Sequence, residues 1–278
     1  MTKAPQPLLA AALSSVRFAG RRAAARFREP PLLDTLIVDV DRTITSEDSP
    51  KVALERMCGK DEAKKVFDGF VKRAIKGELK LDQIHSEVFG ELYRRGFKRS
   101  DWVLIMQELE RRGGLRFRLI DSLTRVASEA GLSTVLATRS SRDGAEWLAR
   151  RFGFPFAVGS VENSSNGVFG GFSLMIGAAD SPVNGTRVLT KMSAASELMK
   201  AAGRTLAPER TAVFSNDLLD ALEMLRSARG ILLVQDEPNT LERITYGLRL
   251  YDVTVRDGPN VADELRGALG LGRLRIQN

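Results

Sequence analysis

Apolar residues stand together at Leu36-Ile37-Val38 and again at Val40, and the run is punctuated at its end by Asp39 and Asp41. A short unbroken apolar run predicts a strand buried on both faces, as in a parallel sheet. From 49 to 112 the pattern changes to lysine, arginine and glutamate with apolar residues at helical spacing and no convincing strand. That stretch predicts a helical block. Beyond it the pattern predicts a helix over 118–130, a strand over 132–137 and a helix over 141–152. Asn166-Gly167 and Gly170-Gly171 supply turn chemistry for a hairpin. A helix over 191–202, a strand over 211–214, a helix, a strand over 230–234, a helix, a strand over 251–255 and a last helix complete the series. Strands alternating with helices predict an α/β fold, a Rossmann-like parallel sheet sandwiched by helices with active groups at the carboxyl ends of its strands. The division expected is an N-terminal arm over 1–32, an α/β core over 33–46 and 116–278, and a helical insert over 47–115. There is no internal repeat and no low-complexity tract.

The arm has its own pattern. Leu9, Leu13, Val16, Ala23 and Phe27 fall on one helical stripe, with the arginines off it, and Pro30-Pro31 ends the segment. Its longest apolar stretch, 8–13, is far short of the roughly 20 residues a membrane span needs. Three readings fit: a helix docked on the main domain or on a second copy in a homodimer, a membrane-surface helix over residues 1–28, or a targeting peptide. The location expected is cytoplasmic, with membrane-surface association or organelle targeting through the arm as alternatives.

Composition narrows the chemistry. The chain has 278 residues, 43% hydrophobic and 28% charged, as in an ordinary globular protein. A single cysteine, Cys58, excludes an intramolecular disulfide framework, and a single histidine, His85, excludes multi-histidine metal sites. Carboxylate-rich magnesium sites stay open. The net charge of +7 comes almost wholly from residues 1–28, which carry six basic residues and no acid, so a nucleic-acid partner is not expected. Cys58 before Gly59 reads as a small buried apolar residue closing a helix, and His85 as a helix-surface or packing residue.

Asp39-Val40-Asp41-Arg42-Thr43 sets two carboxylates two residues apart at the end of a buried strand, on the same face if the strand continues. Alone, such a pair is as readily a solvated turn. Three later elements accompany it in order: a strand ending at Thr138, Lys191 opening a helix, and Phe214-Ser215-Asn216-Asp217-Leu218-Leu219-Asp220 after a strand. With them the chain resembles the haloacid dehalogenase-like (HAD) superfamily, mostly magnesium-dependent phosphatases, over residues 33–256. The helical insert, the segment Ala74-Ile75-Lys76-Gly77-Glu78-Leu79-Lys80-Leu81 and the hairpin glycines resemble the phosphoserine phosphatase-like branch, whose insert is a helical cap.

The resemblance implies a phosphoric monoester hydrolase acting on a small phosphorylated metabolite. Asp39 would be the nucleophile that forms an aspartyl-phosphate, and Asp41 the acid that protonates the leaving oxygen and then activates water. Thr138 would donate to a phosphoryl oxygen, unless it is only a helix N-cap. Lys191 would neutralise charge, with Arg187 as the fallback. Magnesium would be held among Asp39, Asp41, Asn216, Asp217 and Asp220. Asn216 stands where the family usually has aspartate, which implies a weaker magnesium site.

Asp48, Thr43 and Arg139 are the expected substrate contacts, and Arg42 is expected either to touch a phosphate or, the reading preferred, to point to solvent. Counting from Asp39 puts Asp48 where phosphoserine phosphatases carry a cap acid, but their cap arginine falls at or near Val88, with Arg94 and Arg95 out of register. Phosphoserine is therefore disfavoured. Two other functions remain open: a catalytically weakened protein that binds a phosphorylated ligand or partner, motivated by Asn216, and a membrane-surface or assembly protein, motivated by the arm.

Overall fold

A computed structural model of the chain describes residues 32–79, 81–165, 167–177, 180, 186–216, 220–236 and 251–271. Residues 1–31 of the N-terminal arm, Asp217 and the helix expected between the last two strands lie outside these residues.

The strands are β1 (Thr35–Asp39), β2 (Ser133–Ser141), β3 (Phe156–Ser165), β4 (Val168–Ile176), β5 (Arg187–Leu189), β6 (Thr211–Ser215), β7 (Arg229–Val234) and β8 (Val253–Arg256). They form one sheet in the order β5-β4-β3-β2-β1-β6-β7-β8. Neighbours are parallel throughout except β3 and β4, the two arms of the expected hairpin, which are antiparallel. β5, only three residues long, was not foreseen. It pairs with the edge of β4 next to the helix that carries Lys191.

β1 is central, which explains its unbroken apolar run. Leu36 and Val38 turn to one core cluster while Ile37 turns to the other, and all three are fully buried. Burying each such side chain is worth about 1.5–3 kcal/mol, so the strand that ends in Asp39 is firmly held. The chain leaves β1 to one side through β2 and returns to the other at β6. The carboxyl ends of these three strands therefore bound a crevice where the strand order reverses.

After β1 the chain forms a block of four helices, α1 (Ser49–Cys58), α2 (Lys60–Ile75), α3 (Leu81–Arg94) and α4 (Asp101–Arg111). The chain enters and leaves this block through a stem, with Thr45 bridged to Leu115, Ser46 N–H donating to Gly114 C=O at 2.9 Å and Arg116 N–H donating to Ile44 C=O at 2.9 Å. Proline in the first turn starts α1, and Gly59, at φ +80°, ends it. Cys58 is half-buried rather than buried. Aromatic rings fasten the block to the hairpin: Phe89 lies 4.9 Å from Trp102 and 5.0 Å from Phe172, and Tyr93 lies 5.4 Å from Phe169, centroid to centroid.

The remaining helices are α5 (Phe117–Glu129), α6 (Arg142–Phe152), α7 (Lys191–Ala201), α8 (Ala221–Arg226) and α9 (Val261–Ala268). Gly159 lets β3 pass beneath the start of α6, because a Cβ there would sit 2.7 Å from the Arg142 backbone.

Candidate active site

The chain does not continue as a strand past Asp39. Val40 C=O accepts the N–H groups of Thr43, Ile44 and Thr45 at 3.2, 2.9 and 3.0 Å, which winds the next residues into a tight turn. Arg42 sits inside it at φ +59°, the one non-glycine residue with positive φ among the described residues. Its N–H donates to Thr45 Oγ1 at 3.0 Å, and its C=O accepts Gln235 Nε2 at 2.6 Å. Strand periodicity therefore does not align Asp39 with Asp41; separate hydrogen bonds place each.

Asp39 is 5% exposed. Its Oδ1 accepts Lys191 Nζ, and its Oδ2 accepts the Thr43 hydroxyl at 2.8 Å. Asp41 Oδ1 accepts the N–H of Ser49, the first residue of α1, at 2.7 Å, and its Oδ2 accepts the Thr138 hydroxyl at 2.9 Å. Thr138 in turn accepts the Ser140 N–H at 2.9 Å. The N-cap of α6 is Ser141, not Thr138, because β2 runs on to Ser141 and its hydroxyl meets Asp143 N–H at 3.3 Å. The hydroxyls of Ser49 and Ser140 lie 3.1 Å apart, a second link between α1 and the end of β2.

Lys191 opens α7 and is 1% exposed. Besides Asp39, its ammonium donates to Asp220 Oδ2 at 2.6 Å. Asp220 also accepts Ser215 Oγ at 2.5 Å and pairs with the Arg139 guanidinium at 2.7 Å. Burial alone would raise the Asp220 carboxyl, but Arg139 and Lys191, with the Lys191 and Ser215 hydrogen bonds, outweigh it and hold it at about 2. Glu223, one turn further on, accepts the N–H groups of Lys191 and Met192 at 2.9 and 3.0 Å and so caps α7. Burial and the charge on Asp220 push the Glu223 carboxyl up to about 7, against the pull of Lys191 and Arg139. Arg187, the fallback for Lys191, pairs with Glu197 on the surface.

Thr43 is fully buried, and its hydroxyl touches Asn216 at 2.9 Å as well as Asp39. A hydroxyl has one proton. With Asp39 accepting it, the contact to Asn216 is satisfied when the amide turns its NH2 toward Thr43, an orientation open to asparagine and denied to aspartate.

The residues expected at the phosphate thus come together: Asp39, Asp41, Thr138, Lys191, Asn216 and Asp220. Those expected at the substrate divide. Thr43 and Arg139 are turned inward onto Asp39 and Asp220. Asp48 is the N-cap residue of α1 without a side-chain cap bond, immediately before the Ser49 N–H that holds Asp41. Arg42 is half-buried. Of the expected metal ligands, the carboxylates of Asp41 and Asp220 accept the donors above, and Asp217 is outside the described residues. No group of three or more acidic, histidine or cysteine side chains poised for a metal occurs among the described residues. Asp39 and Asn216 meet at Thr43 and supply hard oxygens, one anionic and one neutral. Both Asp39 oxygens already accept Lys191 and Thr43, so an ion held there would have to share them, and one carboxylate with one amide oxygen is a weak pair for magnesium.

Glu223, Ser49 and Ser215 were missed. Ser215 lies inside the quoted motif, but nothing in the local pattern marks the other two. His85, expected at a helix surface or in packing, feels the charges of Arg139 and Lys191.

The sequence profile of the haloacid dehalogenase-like hydrolases matches residues 36–226, a span that includes Asp39, Asp41, β2, Lys191 and Asp220. The chain belongs to that family. This HAD-like hydrolase also shares its fold with solved structures of low identity. A protein of unknown function from Bordetella pertussis Tohama I is 19% identical with a TM-score of 0.57, over 80% of this chain and 98% of that one. A phosphoserine phosphohydrolase-like protein from Francisella tularensis subsp. tularensis SCHU S4 is 14% identical with a TM-score of 0.56, over 84% and 99%. A probable phosphoserine phosphatase from Vibrio cholerae is 13% identical with a TM-score of 0.55, over 87% and 68%. No curated protein matches the HAD-like hydrolase in sequence. Among the described residues, no helix is long and apolar enough to cross a membrane.

Proposed function

We propose that this HAD-like hydrolase cleaves small phosphate monoesters by way of an aspartyl-phosphate on Asp39. The observation that carries the reading is the division of labour between two carboxylates. Asp39 is buried against the Lys191 ammonium, while Asp41, two residues on, is held by Thr138 and the first N–H of α1. An Asp39 oxygen attacks phosphorus in line, and the bond to the leaving oxygen breaks. Asp41 gives its proton to that oxygen, then takes one from the water that attacks the phosphorus of the aspartyl-phosphate. Asp39 is regenerated and inorganic phosphate departs. Lys191 compensates charge on Asp39 and the phosphoryl group throughout, and Asp220, fixed by Arg139 and Ser215, keeps the ammonium aimed. Magnesium, when bound through Asp39 and Asn216, would add positive charge beside the phosphoryl oxygens.

The family and the fold of the phosphoserine phosphatase neighbours support this reading. Its test is phosphate release from p-nitrophenyl phosphate with magnesium by the wild type and by Asp39→Asn. The variant keeps the Lys191–Asp220 pair, so it is expected to fold while losing turnover by about 10³-fold or more. Turnover near the wild-type rate in a folded Asp39→Asn protein would overturn the covalent route.

A further inference from the structure

Asp220 is one of the carboxylates that the family resemblance would give to magnesium, and in this chain it is already taken. Its two oxygens meet two cations. Oδ1 pairs with the Arg139 guanidinium at 2.7 Å, while Oδ2 accepts Lys191 Nζ at 2.6 Å and Ser215 Oγ at 2.5 Å. A carboxylate has about four lone-pair sites, so these donors engage most of them. Asp220, Arg139 and Lys191 are all buried, which leaves little water to screen one charge from another. A magnesium ion on Asp220 would have to displace a donor and sit beside two fixed positive charges. Arginine does not escape such a neighbour by losing its proton.

Local structure aims Arg139 at this carboxylate. β2 pairs with β1 as far as Ala137, the partner of Asp39, and its register against β3 then shifts between Ala137 and Ser141. A bulge of that kind breaks the alternation of side chains and re-aims one of them. The Arg139 C=O accepts Ser160 Oγ at 2.6 Å, and that oxygen accepts the Ile176 N–H at 3.0 Å, so both arms of the hairpin hold the Arg139 main chain. Thr138 therefore reaches Asp41 while its neighbour reaches Asp220.

We infer that Arg139 stands in for a divalent cation at Asp220: its guanidinium closes this carboxylate to metal and supplies positive charge in the ion's place. Only the weak pair of Asp39 and Asn216 is then left for an ion. The cations of the site belong largely to the chain itself, Arg139 and Lys191, and its dependence on magnesium is correspondingly modest.

The effect on turnover rests on the phosphatase reading; the closing of Asp220 does not. The experiment titrates Mn2+, a paramagnetic substitute for magnesium, into the full chain without substrate and reads the bound ion by electron paramagnetic resonance. The wild type should bind with a Kd weaker than about 1 mM, since no second carboxylate joins Asp39. Arg139→Gln keeps an N–H for Asp220 but removes the charge, and should bind at least about 10-fold more tightly. Arg139→Lys keeps the charge and should stay within about 3-fold of the wild type, which separates charge from shape. Adding Asp220→Asn to Arg139→Gln should abolish the gain and so locate it at Asp220. Equal affinities in the wild type and Arg139→Gln would overturn the assignment. So would a wild-type Kd tighter than about 1 mM, a result that needs no variant to fold. In chelator, the wild type should keep at least about a tenth of its magnesium-supported turnover of p-nitrophenyl phosphate, and Arg139→Gln less than about a hundredth. Wild-type turnover that vanishes in chelator would sink the stand-in role. The expected Mn2+ affinities in a protein that hydrolyses no monoester would keep Arg139 on Asp220 and sink the phosphatase reading instead.

Discussion

Asn216→Asp tests the electrostatics of the site most directly, because it adds one charge and almost no volume. In the wild type, one Thr43 hydroxyl spans Asp39 Oδ2 at 2.8 Å and Asn216 Oδ1 at 2.9 Å. An aspartate at 216 brings a second carboxylate to about 5 Å from the first, a repulsion of about 3 kcal/mol at an effective dielectric constant near 20. The new side chain has no N–H to give Thr43, so two carboxylates compete for one proton. In chelator the variant should therefore melt about 6–12 °C below the wild type, at roughly 2–4 °C per kcal/mol. Millimolar magnesium should restore most of the difference, and the magnesium concentration that half-saturates phosphatase activity should fall below the wild type's. The assay is thermal melting of both proteins with and without magnesium, followed by activity against magnesium concentration. Melting temperatures within about 1 °C of each other in chelator would refute the proximity argument. A variant that is destabilised but deaf to magnesium would refute the placing of the ion between Asp39 and Asn216.

Glu223 has a signed pH effect. Its folded carboxyl is raised to about 7 from an ordinary 4.5, so its contribution to stability is full below about pH 4.5 and is lost as pH rises through 7, whereas Glu223→Gln should flatten that slope in denaturant melts between pH 5 and 8. Asp220 runs the other way: held at about 2, its contribution is present above pH 3.8 and disappears as pH falls through 2. Gly159→Ala should cost about 1–3 kcal/mol in chemical denaturation, since its new methyl meets the Arg142 backbone at 2.7 Å; a neutral result would mean that β3 and α6 separate easily.

The sheet was readable because its central strand is buried on both faces and needs an unbroken apolar run, and because the following strands and helices alternate in pattern. β5 was not, since three residues joined only to the edge of β4 carry no period of their own. The acidic pair shows the limit of local reasoning. The two-residue spacing suggested a shared strand face, but a left-handed residue at Arg42 and three N–H groups converging on Val40 C=O end the strand first. Lys191 was legible from its order in the chain and its place at a helix start. Arg139 was legible as a site residue but not as the partner of Asp220, since which carboxylate a buried guanidinium reaches is decided by β2 and the loop before α8 meeting in space. Glu223 and Ser49 act across elements, and no spacing within one helix announces that.

The stem at Thr45 and Leu115 makes the helical block a loop tied at its base. For such a loop, chain entropy grows slowly with length, at about 0.6 kcal/mol per doubling. Through the covalent chain, the sheet is therefore nearly indifferent to how many turns the block contains. It can be lengthened, shortened or rebuilt at its far end while β1 and β2 stay in register. Besides the aromatic contacts to the hairpin and the Ser49–Ser140 hydroxyl pair, one exception is its first peptide group, the Ser49 N–H on Asp41. Variation in the block is thus free in size yet constrained at its threshold, where a shift of α1 by about an ångström would stretch a 2.7 Å bond past useful length and leave Asp41 held by Thr138 alone.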